Sequence, residues 1–202
     1  MCYNKLTWDN MSCCFSSGME IEMSVYIFLA DGFEEAEAMI PADMLLRGGA
    51  DVKLTSIGKS LSVRGAHNIT VNADIMLGDV DISNAEAIIL PGGSGGTALL
   101  AKNQKAIFMI NEAASRGIYI GAICAAPSIL GSMGLLDGRK AACYPSFQKY
   151  LKNSNITGNE VECDDIFITA KAAGSSFEFA FKLVELICGT EMCNKIKQDI
   201  YY

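Results

Sequence analysis

The chain is almost without histidine: His67 is the single imidazole among 202 residues. With one histidine and no Cys-x-x-Cys pair, a zinc site is not expected. No run of Lys or Arg is long enough to follow a phosphate backbone. The 16 basic residues are outnumbered by 23 acidic ones, for a net charge of −7, so a nucleic-acid partner is not expected. Residues 1 to 22 contain no sustained apolar run, which argues against a secretory leader or a membrane span there. The glycine cluster at 92 to 96 lacks the lysine that a phosphate-binding loop requires at fixed spacing.

What the chain does have is hydrophobic mass: 50% of its residues are hydrophobic and 19% charged, enough for one domain with a sizeable core. Residues 1 to 22 do not fit the pattern of the rest. They read as an extension, either a disordered tail or a start placed too far upstream, ahead of a single domain over 23 to 202. Of the eight cysteines, Cys2, Cys13 and Cys14 lie in that extension and five are scattered, which fits reduced thiols of a cytoplasmic protein rather than a disulfide framework.

The hydrophobic pattern alternates between two periods. Ser24 to Ala30 is a short apolar run of the kind that forms a buried parallel strand, and Glu34 to Arg47 reads as a helix stopped by Gly48-Gly49. Val52 to Ile57, Ala87 to Leu90 and Ile118 to Ile120 read as further strands. Gln104 to Arg116 is a helix with Ile107, Ile110 and Ala114 inward. From Ser175 to Ile187 a second amphipathic helix sets Phe177, Phe181, Val184 and Ile187 against a polar stripe. Ser62 to Met76 suggests a hairpin or edge excursion. The sum is an α/β doubly wound sandwich, a mostly parallel sheet with helices on both faces, whose ligands bind beyond the carboxyl ends of the strands.

Three motifs fall at such ends. Gly121-Ala122-Ile123-Cys124-Ala125-Ala126-Pro127 joins a strand to an apolar helix through one cysteine among small residues, like a nucleophile elbow built around sulfur. A thiol facing a helix N-terminus is biased toward thiolate; a buried structural cysteine is the alternative. Leu90-Pro91-Gly92-Gly93-Ser94-Gly95-Gly96 is either a plain tight turn or a loop whose amides stabilise an oxyanion. Asp31-Gly32-Phe33-Glu34-Glu35-Ala36-Glu37 crowds carboxylates into the first turn of a helix, where they suit its dipole. Pro41 cannot donate to the carbonyl of Glu37, so the helix should bend or restart there and turn Glu37 toward the site. A carboxyl sharing a dry pocket with a thiolate would hold its proton to unusually high pH.

These motifs, in this order and together with the segment Thr169 to Ala180, resemble the ThiJ/PfpI superfamily, in the branch of the parkinsonism-associated protein (DJ-one). The resemblance runs from Met23 to Gly189. It implies a flavodoxin-like fold related to class I glutamine amidotransferases, a homodimer, an oxidation-prone Cys124 and an acid at Glu37 hydrogen-bonded to it. Members are described as glyoxalases, protein or nucleotide deglycases, and redox-sensing chaperones. Peptidase-like branches carry His directly after the nucleophile, where this chain has Ala125, and the amidotransferases need a late His that is absent. Where some members set a histidine before a proline near the thiol, this chain reads Cys143-Tyr144-Pro145. Tyr144 either donates a hydrogen bond to a bound carbonyl or packs. His67 lies in the region that approaches the partner's active site in dimeric relatives, although a surface or interface histidine is the simpler reading. Arg47 either holds an anion at the dimer interface or, more simply, caps its own helix.

The resemblance thus implies a cofactor-free and metal-free chemistry on reactive carbonyls or glycated amines and thiols. Cys124 would be the nucleophile, Glu37 the proton shuttle, and the amides of Gly92, Gly93 and Ala125 the oxyanion donors. The alternative is a redox-sensing stress protein or chaperone, acting through oxidation of Cys124 without turnover.

Overall fold

The computed structural model describes residues 23–202; the expectation for residues 1 to 22 lies outside the described residues. Strand β1 (Ser24–Leu29) is buried along its whole length, as a strand covered on both faces must be. Val25, Ile27 and Leu29 enter one core while Tyr26 and Phe28 enter another, the two-residue period of a pleated strand. After it come α1 (Glu35–Arg47), β2 (Asp51–Ser56), the hairpin strands β3 (Ser62–Arg64) and β4 (Thr70–Asn72), and β5 (Ile75–Met76). The chain continues with β6 (Ala85–Leu90), α2 (Ser94–Lys102), α3 (Gln104–Ser115), β7 (Tyr119–Ile123) and the short α4 (Pro127–Ser132). β8 (Lys140–Ala141) and β9 (Asn155–Ile156) flank a 3-10 segment, Pro145–Tyr150. β10 (Val161–Asp164), β11 (Phe167–Ala170), α5 (Ser176–Ile187) and α6 (Thr190–Asp199) complete the order.

Seven strands form one sheet in the order β10-β11-β7-β6-β1-β2-β5. Every pairing in it is parallel except β10 with β11. One core lies between the sheet and α1, α5 and α6; the other lies under α3 and α4. This is the α/β sandwich expected from the alternation of patterns, and the carboxyl ends of β1, β6 and β7 converge on one edge. Among the described residues no helix is long and apolar enough to cross a membrane.

Several local expectations change. The helix begins at Glu35, with Glu34 as its extended N-cap, and runs through Pro41 without restarting. Burial of Ala38, Pro41, Ala42 and Leu45 holds it together across the missing hydrogen bond. The excursion is a hairpin only over β3 and β4, because β5 pairs with β2 at the edge of the main sheet. Helix α3 buries Ala106, Met109, Ile110 and Ala113, with Ile107 and Ala114 only partly covered. In α5 the buried set is Ser176, Phe179, Ala180, Phe181, Leu183 and Val184, wider than one stripe because α1 and α6 pack on it in addition to the sheet. The residues after Gly93, read as a loop, form α2.

Candidate active site

β7 delivers Cys124 into a left-handed turn, φ 62°, where a residue with a β-carbon costs about 1–3 kcal/mol. The neighbours fix it there. Its N–H donates to the Ala170 carbonyl at 2.9 Å, and its own carbonyl accepts the Tyr144 N–H at 2.9 Å and the Cys143 thiol at 3.3 Å. Ala125 and Ala126 are buried behind it, and their small side chains leave room for the sharp turn. The Cys124 thiol is half-buried.

Beside it runs the glycine loop after β6. Gly92 donates its N–H to Glu37 Oε2 at 2.8 Å, and its carbonyl accepts from the Glu34 amide at 3.1 Å. A β-carbon on Gly92 would lie 2.5 Å from Glu37 Oε2 and 2.8 Å from the Cys124 β-carbon; only glycine lets the three residues meet. Gly93 has φ 84° and serves as the N-cap of α2, and a β-carbon there would strike the Gly32 carbonyl. The loop is therefore a tight turn and a source of amides at once, but the Gly92 amide is engaged by Glu37, which corrects its expected part as an oxyanion donor.

Glu37 is completely buried. Its Oε1 has no hydrogen bond of ordinary geometry, yet its carboxyl and the Cys124 thiol each act on the other's ionisation. We take the two groups to be within electrostatic reach, with the direct bond not fully formed. Burial pushes Glu37 up to about 7, with the interactions from Cys124 and the Gly92 amide pulling the other way and the Glu34 charge adding to the rise. Burial, followed by the Glu37 charge, pushes the Cys124 thiol up to about 12, against the pull of the Ala125 and Gly93 amides. This corrects the expectation of a thiol made acidic by a helix end alone: α4 is short, and two buried anions side by side are costly. The pair titrates as a unit. Across neutral pH it passes through a state with one proton and one negative charge, which the Ala125 and Gly93 amides favour on sulfur and the Gly92 amide favours on the carboxylate.

The sequence profile of the DJ-1/PfpI family matches residues 23–186. The chain belongs to the DJ-1/PfpI family. It is 37% identical over 169 residues to protein DJ-1 homolog B of Arabidopsis thaliana, an alignment covering 83% of this chain and 39% of the relative, so the chain spans less than half the length of that protein. The glutathione-independent glyoxalase DJR-1.2 of Caenorhabditis elegans is 32% identical over 184 residues, 90% of this chain and 98% of the relative. A deglycase of Pyrococcus abyssi is 29% identical over 167 residues, 82% of this chain and 99% of that one. Among solved structures, Drosophila melanogaster DJ-1beta superposes with a TM-score of 0.84 at 30% identity, over 89% of this chain and 98% of the other.

In this DJ-1/PfpI chain the remaining candidate residues stand apart from the sulfur. Tyr144 is 43% exposed and its backbone amide holds the Cys124 carbonyl. His67 is exposed and bound to Glu35, with Nδ1 at 2.8 Å from Oε2 and its backbone N–H at 2.7 Å from Oε1. Arg47 turns back along α1 to Asp43 at 3.2 Å, while the end of the helix is closed by the Gly48 amide. Capping of the last carbonyls by Arg47 is thus corrected: a carboxylate one turn back competes better for the guanidinium. Glu34, Glu35 and His67 bring three possible ligand atoms within 4.8 Å of one another, but both Glu35 oxygens are already engaged by His67. Sequence reasoning missed Cys143, which is buried against the Cys124 carbonyl, and the Ala170 carbonyl. The placement of Cys143 just before the noted Tyr144-Pro145 pair was the available signal.

Proposed function

We propose that this chain is a cysteine-dependent, cofactor-free DJ-1/PfpI enzyme acting on reactive carbonyls, of the glyoxalase or deglycase type. The observation that carries the reading is the left-handed Cys124 with the buried Glu37 carboxyl at its side and the Ala125 and Gly93 amides acting on its sulfur. Relatives named as a glyoxalase and a deglycase support it.

The pair's single proton rests mainly on sulfur, since the thiol is pushed up to about 12 and Glu37 only to about 7. As substrate arrives it moves to Glu37, and in that minor form the Cys124 thiolate adds to the aldehyde carbon of an α-oxoaldehyde. The C=O electron pair moves to oxygen, and that oxyanion forms beside the Ala125 and Gly93 amides. Glu37 then gives its proton to the oxygen and becomes the base for the C–H of that hemithioacetal carbon. It carries this proton to the adjacent carbon while the hydroxyl proton passes to the adjacent oxygen, which leaves a 2-hydroxy thioester. A carboxyl that titrates near neutrality suits both halves of this transfer. Water cleaves the resulting thioester, so methylglyoxal and water become lactate and the thiol is regenerated. A glycated amine or thiol enters the same path through its early hemiaminal or hemithioacetal. Pure protein fed methylglyoxal should release lactate, and equal turnover by Cys124→Ser would sink the reading.

A redox-sensing role rests on the same geometry, because amides and a carboxyl that steady an oxyanion also steady the oxygens of a cysteine sulfinate. Graded peroxide should then add two oxygens at Cys124 alone, and oxidation spread over the other cysteines would count against this role. We place the chain in the reducing cytoplasm, in keeping with the five cysteines among the described residues all being free. We also infer a homodimer, supported by exposed Leu46 on α1 and by Leu61 and Ile69 beside and within the hairpin. Sedimentation at micromolar concentration tests that assembly.

A further inference from the structure

We propose that the groove between α2 and the Pro145–Tyr150 segment binds small amphipathic carboxylates, molecules with an aromatic or branched aliphatic body and one anionic end. The groove encloses about 410 Å³, within the range of small-molecule sites. Ser94, Thr97, Ala98 and Ala101 form its α2 wall; at spacings of three and four they share one helix face. Their small side chains leave a space, which Ile129 of α4 and the rings of Phe147 and Tyr150 bound from the other side.

Two polar groups define the ligand's polar end. Thr97 is only 4% exposed, and its Oγ1 is buried without a hydrogen-bond partner. A helical threonine usually bonds back to the carbonyl one turn earlier, and a buried hydroxyl left unpaired is costly. Thr97 lines the groove, so a rotation of its side chain that turns the hydroxyl toward that space would let an acceptor there satisfy it. Lys102, at the end of α2, also lines the groove, and it makes no ion pair among the described residues. A carboxylate offers oxygens to both groups, while a purely apolar molecule offers nothing to either.

The groove is distinct from the cysteine site, since Cys124, Glu37, Gly92, Gly93 and Ala125 do not line it. It nevertheless touches both helices that follow that site: α2 starts directly after Gly93 and α4 directly after Ala126. Its occupancy does not depend on the carbonyl chemistry.

The test titrates 3-phenylpropionate into the full chain by protein-observed NMR, with 3-phenylpropanol as the neutral control and acetate as the control without a body. The acid should bind saturably, with shift changes centred on Thr97, Ala101, Ile129 and Phe147. The alcohol, and the acid with Lys102→Gln, should each bind at least about fivefold more weakly, and Thr97→Val about fivefold, the size of one hydrogen bond. Ala101 is exposed, so Ala101→Trp fills the groove without entering the core and should abolish binding. Cys124→Ser should leave it unchanged, which separates failure of this site from failure of the proposed reaction. No saturation up to about 10 mM, a concentration that already admits very weak ligands, would overturn the proposal. So would equal binding of acid and alcohol, or indifference to both Thr97→Val and Ala101→Trp.

Discussion

Glu35 and Glu37 stand two residues apart in the first turn of α1, and both are buried, yet the protein treats them in opposite ways. Burial pushes the Glu35 carboxyl up, but the bonds from the His67 ring, its own backbone and the His67 and Ile69 amides outweigh it and hold Glu35 below the usual range. Glu37 faces the other way, toward the elbow, and has one firm donor in the Gly92 amide. Its second oxygen is unpaired, and burial wins. Depth alone does not set the charge of a carboxyl; the number of donors does. On the hairpin side the helix builds a fixed carboxylate that clasps β3 and β4 to the β1–α1 turn. On the elbow side it builds a carboxyl poised to gain or lose a proton.

The comparison can be broken most forcefully at the glycine that permits the elbow side. Gly92→Ala sets a β-carbon against both Glu37 and Cys124, and overpacking of this kind should cost about 1–3 kcal/mol and suppress turnover. Urea denaturation and lactate release measure the two losses.

Glu37→Gln sharpens the contrast through pH. The folded-state value near 7 lies above the ordinary 4.5, so the native state keeps a proton that the unfolded chain has released. Stability is full below the unfolded value and falls as pH rises through the folded one, by about 3 kcal/mol at most. Glutamine abolishes this decline, so denaturation midpoints at pH 4 and pH 8 should converge in the variant. Turnover should fall by about 100-fold or more, the scale of a lost general acid–base group.

On the hairpin side, Glu35→Gln removes an ionic acceptor of two His67 bonds and should cost about 1–2 kcal/mol at pH 6, with little change in the rate at which Cys124 is alkylated. His67→Gln is the smallest effect. The Glu35 contribution is lost as pH falls through its lowered value, and the His67 contribution as pH rises through its raised one. The clasp therefore works between them, and the variant should flatten only the alkaline limb of the stability curve.

The elbow side was the more legible in sequence, because glycines, small residues and a cysteine at a strand end have few other uses. Three strands of the sheet were readable as short apolar runs, since β1, β6 and β7 are buried along most of their length, whereas β2 mixes Asp51, Lys53, Thr55 and Ser56 with Val52 and Leu54 and is only partly buried. Less was visible where the signal depends on partners distant in the chain. Nothing local in Glu35 announces His67, which folds over it from the hairpin. In α3 the buried stripe is centred on Ala106, Met109, Ile110 and Ala113, with the expected Ile107 and Ala114 at its border, while in α5 the neighbouring helices bury residues outside a single stripe. Helix α2 was hidden by the glycines that open it, and Pro41 misled because packing rather than hydrogen bonding holds α1 intact.

The most direct test is to titrate both carboxyls in one sample, following the side-chain carboxyl carbons of Glu35 and Glu37 by ¹³C NMR from acid to alkaline pH. Glu37 should titrate near 7 and Glu35 below 4.5. Coincident midpoints in the ordinary carboxylate range, or the reverse order, would contradict the division of α1 into a fixed carboxylate and a proton-holding one.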